Sequence, residues 1–140
     1  MALVKPLAID AMGGDKAPHS VLQGARIALK WFPDLRYVFF GDEQVLAPLM
    51  HKYKLEEIAT IVHTDQAVAA DEKPSVALRQ GRQSSMRLAI DAVSEGTCCA
   101  MVSAGNTGAL MATAKFVFKT LKGIYRPAIT ATMPARSGNV

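Results

Sequence analysis

The sequence predicts an α/β fold, three layers deep (α/β/α) around a mainly parallel sheet. Three observations carry that expectation. Short apolar runs rich in β-forming residues alternate with longer runs of helical periodicity, the pattern of right-handed βαβ units. Turns rich in glycine or aspartate follow several of the strands, at the ends where open parallel sheets bind ligands. Half of the 140 residues are hydrophobic and 20% are charged, which suits one packed domain and not a disordered chain.

Pro6-Leu-Ala-Ile-Asp10 reads as a buried first strand that ends in a carboxylate, and Ala11-Met-Gly-Gly-Asp15 as a Gly-rich turn. Ala17-Pro18 opens a helix, since proline is favoured in the first turn, and Val21, Leu22, Ala25, Ala28 and Leu29 carry its apolar face to about Trp31. Arg36 to Phe40 is a second strand, closed by Gly41-Asp42. Glu43 to Tyr53 is helical, with Val45, Leu46, Leu49 and Met50 on one face, and Ile58 to His63 is a third strand. Thr64 to Pro74 is a loop. Ser75 then caps one long helix that reaches Glu95, with Gly96 as its C-cap. Gly81 inside that helix costs roughly 1 kcal/mol relative to alanine and marks close packing or a kink. Cys98 to Val102 is a fourth strand, Asn106 to about Leu121 its helix, and Ala128 to Met133 a fifth strand. The chain stops at Arg136-Ser-Gly-Asn-Val140 with no closing helix, so residues 1–140 are expected to be the N-terminal part of a single α/β domain, cut short.

Several function classes drop out. The net charge of +4 is modest, with Lys and Arg dispersed and no zinc-finger or helix-turn-helix pattern, which favours small anionic ligands over nucleic acid. Cys98 and Cys99 are adjacent in an apolar run, expected to be buried as small hydrophobes in a reducing cytoplasm. His19, His51 and His63 stand apart from any partner at ligand spacing, so no metal is assigned. The N-terminus has no signal-peptide core, and no window approaches the roughly 18 apolar residues of a spanning helix.

Chemistry is expected where strands end. Ser103-Ala-Gly-Asn-Thr-Gly108 lies between the fourth strand and its helix, where backbone amides and the helix dipole favour an anion. Ser103, Asn106 and Thr107 can cap that helix or donate to a ligand, and Gly105 and Gly108 allow close approach to the backbone. If the first and fourth strands are neighbours, the Asp10 to Asp15 turn faces the same crevice, and two sets of amides can hold a phosphate or an oxyanion. No G-x-G-x-x-G and no G-x-x-x-x-G-K-[ST] is present, which argues against a nucleotide. Asp10 and Asp15 would repel a phosphate directly; they orient backbone, a cation or Lys16, or serve as turn carboxylates. Arg79 and Arg82, three apart on the predicted helix, form with Ser84 and Ser85 either a ligand-facing patch or a solvated face. There is no Ser-His-Asp arrangement and no G-x-S-x-G, so acyl chemistry here would need an external nucleophile.

Ala8-Ile-Asp-Ala-Met-Gly-Gly-Asp-Lys-Ala-Pro18, Gly41-Asp42, Ala77-Leu-Arg79 with Ser84-Ser-Met86, Val102-Ser-Ala-Gly-Asn-Thr-Gly-Ala-Leu-Met111 and Arg126-Pro-Ala-Ile129 resemble, in order, the N-terminal part of the bacterial phosphate acyltransferase family PlsX. The resemblance spans nearly the whole chain and less than half of the family's usual length. It implies a fold like that of the isocitrate and isopropylmalate dehydrogenases. It also implies transfer of a fatty acyl group from acyl carrier protein to inorganic phosphate, giving acyl phosphate for phospholipid synthesis, with no cofactor. A homodimer in the cytoplasm, held peripherally at the inner membrane face, with a glycerol-3-phosphate acyltransferase as a candidate partner, follows from the same resemblance. By motif, Asp10, Gly13, Gly14, Asp15 and Lys16 line the crevice from the first turn. Ser103, Gly105, Asn106, Thr107 and Gly108 line it from the fourth, and Arg79, Ser84 and Ser85 match the helix motif. Asp10, Lys16 and Asn106 are the catalytic candidates. Gln80-Gly-Arg-Gln83 departs from the lysine-rich segment of many members, and the isolated 140-residue segment is expected to be inactive. The alternatives are a phosphate acetyltransferase of the same fold acting on acyl-CoA, and a non-catalytic anion-binding module.

Overall fold

Period-two alternation along the first strand decides which helices it meets. Leu7 and Ile9 face one side of the sheet; Ala8 and Asp10 face the other. A computed structural model describes residues 5–135 together with Gly138 and Asn139. In order its elements are β1 (Leu7–Asp10), α1 (His19–Ala28), β2 (Tyr37–Gly41), α2 (Glu43–Tyr53), β3 (Ala59–His63), α3 (Pro74–Gln80), α4 (Ser85–Ser94), β4 (Ala100–Val102), α5 (Thr107–Phe118), and two short strands, β5 (Pro134–Ala135) and β6 (Gly138–Asn139). The expectations that fall on Met1 to Val4, Arg136, Ser137 and Val140 lie outside the described residues.

β1 to β4 form a parallel sheet in the order β3-β2-β1-β4. The chain therefore runs outward from β1 through β2 to β3, then returns to lay β4 on β1's other edge. On one face, Ile9, Tyr37 and Phe39 pack with Leu22 and Ala25 of α1 and Leu46, Leu49 and Met50 of α2. On the opposite face, Ala8 and Phe40 pack with Ala89 and Ala92 of α4, where small side chains let the helix lie close. A third cluster joins Ala77, Met86, Ile90 and Ala109, tying α3, α4 and α5 together. Helices change face when the strand order reverses, as right-handed crossovers require. The three-layer α/β/α expectation holds.

Three expectations need correction. The long helix from Ser75 to Glu95 is two helices. Lys73 is the N-cap of α3 with Pro74 in its first turn, and α3 ends at Gln80. Gly81 stops it: its backbone turns away, and a side chain there would meet the Ala77 carbonyl at 2.5 Å. Ser84 starts α4 afresh, its hydroxyl accepting from the Arg87 amide at 3.2 Å and donating to the Gly81 carbonyl at 2.7 Å. Arg82 thus sits in the break and shares no helix face with Arg79.

The fifth strand is also absent: Ala128 to Met133 is exposed and unpaired. Ile129, Thr130 and Thr132 have β propensity, but a strand needs a neighbouring backbone, and among the described residues none is laid beside this run. Nor are both cysteines buried. Cys98 is, and burial pushes its thiol up, whereas Cys99 is exposed with its sulfur near the Lys5 and Pro6 carbonyls. Among the described residues, no helix is long and apolar enough to cross a membrane.

Candidate functional site

β1 and β4 lie side by side, with Ile9 opposite Val102, so Asp10 and Ser103 leave the sheet together. Asp10 is 2% exposed. Its two oxygens are taken from two directions. The Ser85 hydroxyl, in the first turn of α4, donates to Oδ1 at 2.6 Å, and the Ser103 hydroxyl donates to Oδ2 at 2.7 Å. Ser103 Oγ also accepts from the Gly105 amide at 3.1 Å. The first turn lies directly on this network. A Cβ at Gly13 would stand 2.5 Å from Asp10 Oδ2 and 3.0 Å from both the Gly105 nitrogen and Ser103 Oγ. Gly14 has φ +108°, and a side chain there would press on the Ala104 carbonyl at 3.0 Å. Glycine is required twice because two backbones touch.

The turn amides sort into two groups. The Ala11, Ala17, Gly105 and Ala109 amides have protein acceptors: the carbonyls of Phe40 and Gly14, the Ser103 hydroxyl and the Asn106 side chain. The amides of Met12 through Lys16, and of Asn106, Thr107 and Gly108, have no acceptor among the described residues. The second set opens α5, where the helix dipole adds to their partial positive charge. Two runs of uncommitted donors, one from each turn, can bind an anion at the switch point of an open sheet. Among the described residues no cluster of three or more His, Cys, Asp or Glu is arranged for a metal.

Residues 5–140 match the family model described as fatty acid synthesis protein. The chain belongs to this family. Both turns, the helix break and β4 fall inside the match. Among its curated relatives are proteins named phosphate acyltransferase. The one from Rhodospirillum centenum is 59% identical over 133 residues, covering 94% of this chain and 38% of the relative. That from Rhodospirillum rubrum is 50% identical over 133 residues with the same coverages, 94% and 38%. That from Paramagnetospirillum magneticum is 48% identical over 139 residues, covering 99% and 40%. The chain therefore spans about two fifths of the length of these relatives.

Within this family member, the structure brings Asp10, Gly13, Gly14, Ser85, Ser103 and Gly105 into one contact set. Thr107 and Gly108 follow at the start of α5, and a Cβ on Gly108 would meet Pro74 of α3 at 3.0 Å. Asp15, Lys16 and Thr107 are exposed. Arg79 is exposed in the last turn of α3, and it makes no ion pair among the described residues. Ser84 serves as the α4 cap. Asn106 is occupied at both ends. Its Oδ1 accepts from the Ala109 amide at 3.0 Å, and its Nδ2 donates to the carbonyls of Ala69, Ala70 and Glu72 at 3.2, 3.1 and 2.8 Å. It clamps the loop after β3 onto α5. Gly41-Asp42 stays outside the set: Asp42 caps α2 through the Gln44 amide at 2.9 Å.

Sequence reasoning missed Thr64 and Gln66, which bind that same loop to the helix break. The Thr64 hydroxyl donates to the Gln83 carbonyl, Gln66 Oε1 accepts from the Gln83 amide at 3.1 Å, and the Gln66 carbonyl accepts from the Ser85 amide at 2.9 Å. Partners 17 and 19 residues apart with no periodic pattern leave no sequence signal.

Proposed function

We propose that the chain contributes the anion-holding part of a phosphate acyltransferase, which moves a fatty acyl group from acyl carrier protein to inorganic phosphate. The observation that carries this is the contact between the two glycine turns over Asp10, with the amides of Met12 to Lys16 and Asn106 to Gly108 free of any acceptor among the described residues. An oxygen of hydrogen phosphate attacks the thioester carbonyl, a C–O bond forms, and the C–S bond breaks to release the carrier thiolate, which takes up the proton that the phosphate gives up and leaves as the thiol. Amides beside the carbonyl stabilise the charge that gathers on its oxygen. The serine hydroxyls nearest the turns, Ser85 and Ser103, both donate to Asp10, which fits phosphate rather than a side chain as nucleophile. The names of the relatives support the same reading. Gly13, Gly14, Thr107 and Gly108 supply the phosphate contacts in this reading, and Lys16 and Arg79, both exposed, act at longer range through charge. A homodimer at the membrane face, delivering acyl phosphate to a glycerol-3-phosphate acyltransferase, completes the proposal on the family resemblance.

The test uses a chimera in which residues 1–140 replace the matching segment of the Rhodospirillum centenum relative. Acyl carrier protein thiol is expected to appear only when both acyl-carrier substrate and phosphate are present. The 140-residue chain alone is expected to show no turnover. Release independent of phosphate, or a chimera that prefers acyl-CoA in direct competition, overturns the donor and acceptor assigned here.

A further inference from the structure

We propose that Asp10 is a positioning residue: it holds the two glycine turns in register through Ser103 and Ser85, and neither contacts the phosphate nor moves a proton. This rests on the phosphate reading of the site. A general base needs a free lone pair facing the reacting group. Asp10 is 2% exposed, a serine hydroxyl sits on each of its oxygens, and Gly13 closes over Oδ2 so tightly that even a methyl group would not fit.

The direction of the hydrogen bonds says what the carboxylate does instead. A hydroxyl has one hydrogen. Ser103 gives its hydrogen to Asp10, so its oxygen is left to accept the Gly105 amide. The relay runs one way, from the Gly105 N–H through Ser103 to Asp10, and Ser85 adds a second donor from α4. Only an acceptor with two free oxygens can end both. An asparagine offers one oxygen and turns an NH2 toward the other serine. If that serine is Ser103, its hydroxyl must reverse, and its hydrogen then faces the Gly105 N–H. The Gly105 amide is released, and the turn that presents Thr107 and Gly108 loses its anchor to the turn that presents Gly13 and Gly14.

The experiment compares Asp10→Asn, Ser103→Ala and the double variant in the chimera, with the 140-residue chain used for amide measurements. KM for phosphate is expected to rise about tenfold in each single variant, the size of one lost hydrogen bond to a charged group. The double variant should be no worse than the weaker single, because both act through one relay. kcat should fall much less than KM rises, and the acid limb of its pH profile should stay in place. Ser103→Thr keeps the hydroxyl and should recover most of the loss, which keeps the test open if Asp10→Asn fails to fold. In the 140-residue chain, Asp10→Asn should speed hydrogen exchange at Gly105. A kcat loss of about a thousandfold with loss of the acid limb would make Asp10 a base and overturn the proposal. So would multiplying effects in the double variant, or a lowered Tm with KM unchanged. Failure of the phosphate reading shows elsewhere, as amide resonances of Gly13, Gly14, Thr107 and Gly108 in the unmutated chain that do not respond to inorganic phosphate.

Discussion

Two glycines with opposite surroundings separate site from scaffold at the level of single residues. Gly13 is hemmed in by Asp10, Ser103 and Gly105, whereas Gly24, inside α1, has nothing within 4 Å of where a Cβ would stand. Gly13→Ala is expected to lower stability by about 1–3 kcal/mol through overpacking, and to abolish the phosphate response of the turn amides. Gly24→Ala is expected to raise stability by about 0.5–1 kcal/mol, because a helical glycine loses more backbone freedom on folding than alanine does. Urea midpoints of the two variants measure both, and equal shifts would contradict this account. Asn106 shows what a sequence cannot say about one residue. An amide beside a Gly-rich turn has the same letters whether it meets a ligand or a neighbouring backbone. Only the three carbonyls of Ala69, Ala70 and Glu72 around its nitrogen decide the matter.

Among the elements, the break between α3 and α4 matters most for the site. Were the helix continuous, Ser85 would lie in its middle; with the break, Ser85 stands in the first turn of α4, where it reaches Asp10. Ser84→Ala removes the α4 cap and the hydroxyl donor to the Gly81 carbonyl, which keeps only the backbone amide of residue 84 at 3.1 Å. A loss of about 1–2 kcal/mol is expected by denaturant unfolding, with helical content otherwise preserved. The strands and the outer helices were legible because their signals are local. Tyr37 to Phe40 is a β-forming run whatever lies beside it, and Glu43–Tyr53 carries its own amphipathic face and its own Asp42 cap. The break was half legible: Gly81 and Ser84 are a stop and a start in succession, and Arg79 to Ser85 holds no apolar residue, but its arginines and glutamines are good helix formers that carry a helical reading across the gap. Ala128 to Met133 failed for the converse reason, since propensity without a partner edge does not make a strand.

For the molecule as a whole, the strand order β3-β2-β1-β4 is what turns two ordinary strand-to-helix turns into one site. No local pattern states that β1 and β4 are neighbours, so the pairing of the turns stood in the sequence only as a condition. The core has a pH signature of its own. Tyr37 is buried between β2 and α1, its hydroxyl donating to the Ala25 carbonyl at 3.1 Å, and burial raises its pKa above the ordinary 10.0. A raised folded value means the unfolded chain loses the proton first. The stabilisation is therefore present in full below pH 10.0 and lost as the pH climbs from there through the raised value. Tyr37→Phe is expected to cost about 1 kcal/mol at neutral pH and to flatten the fall in stability above pH 10.0. Thermal unfolding at a series of alkaline pH values checks both.

The reach of the Asp10–Ser103 bond also sets an order in time. The partners are 93 residues apart, so on a ribosome adding about 5–20 residues per second Asp10 is made about 5–20 seconds before Ser103 exists. During that interval β1, β2 and β3 can pair and cover their α1–α2 face, while the Asp10 carboxylate keeps water for company. Burying it earlier would strand a charge with its Ser103 donor missing. A nascent chain halted just before Ser103 would thus hold most of a sheet and no cleft, and the cleft appears in the same step that brings β4 home.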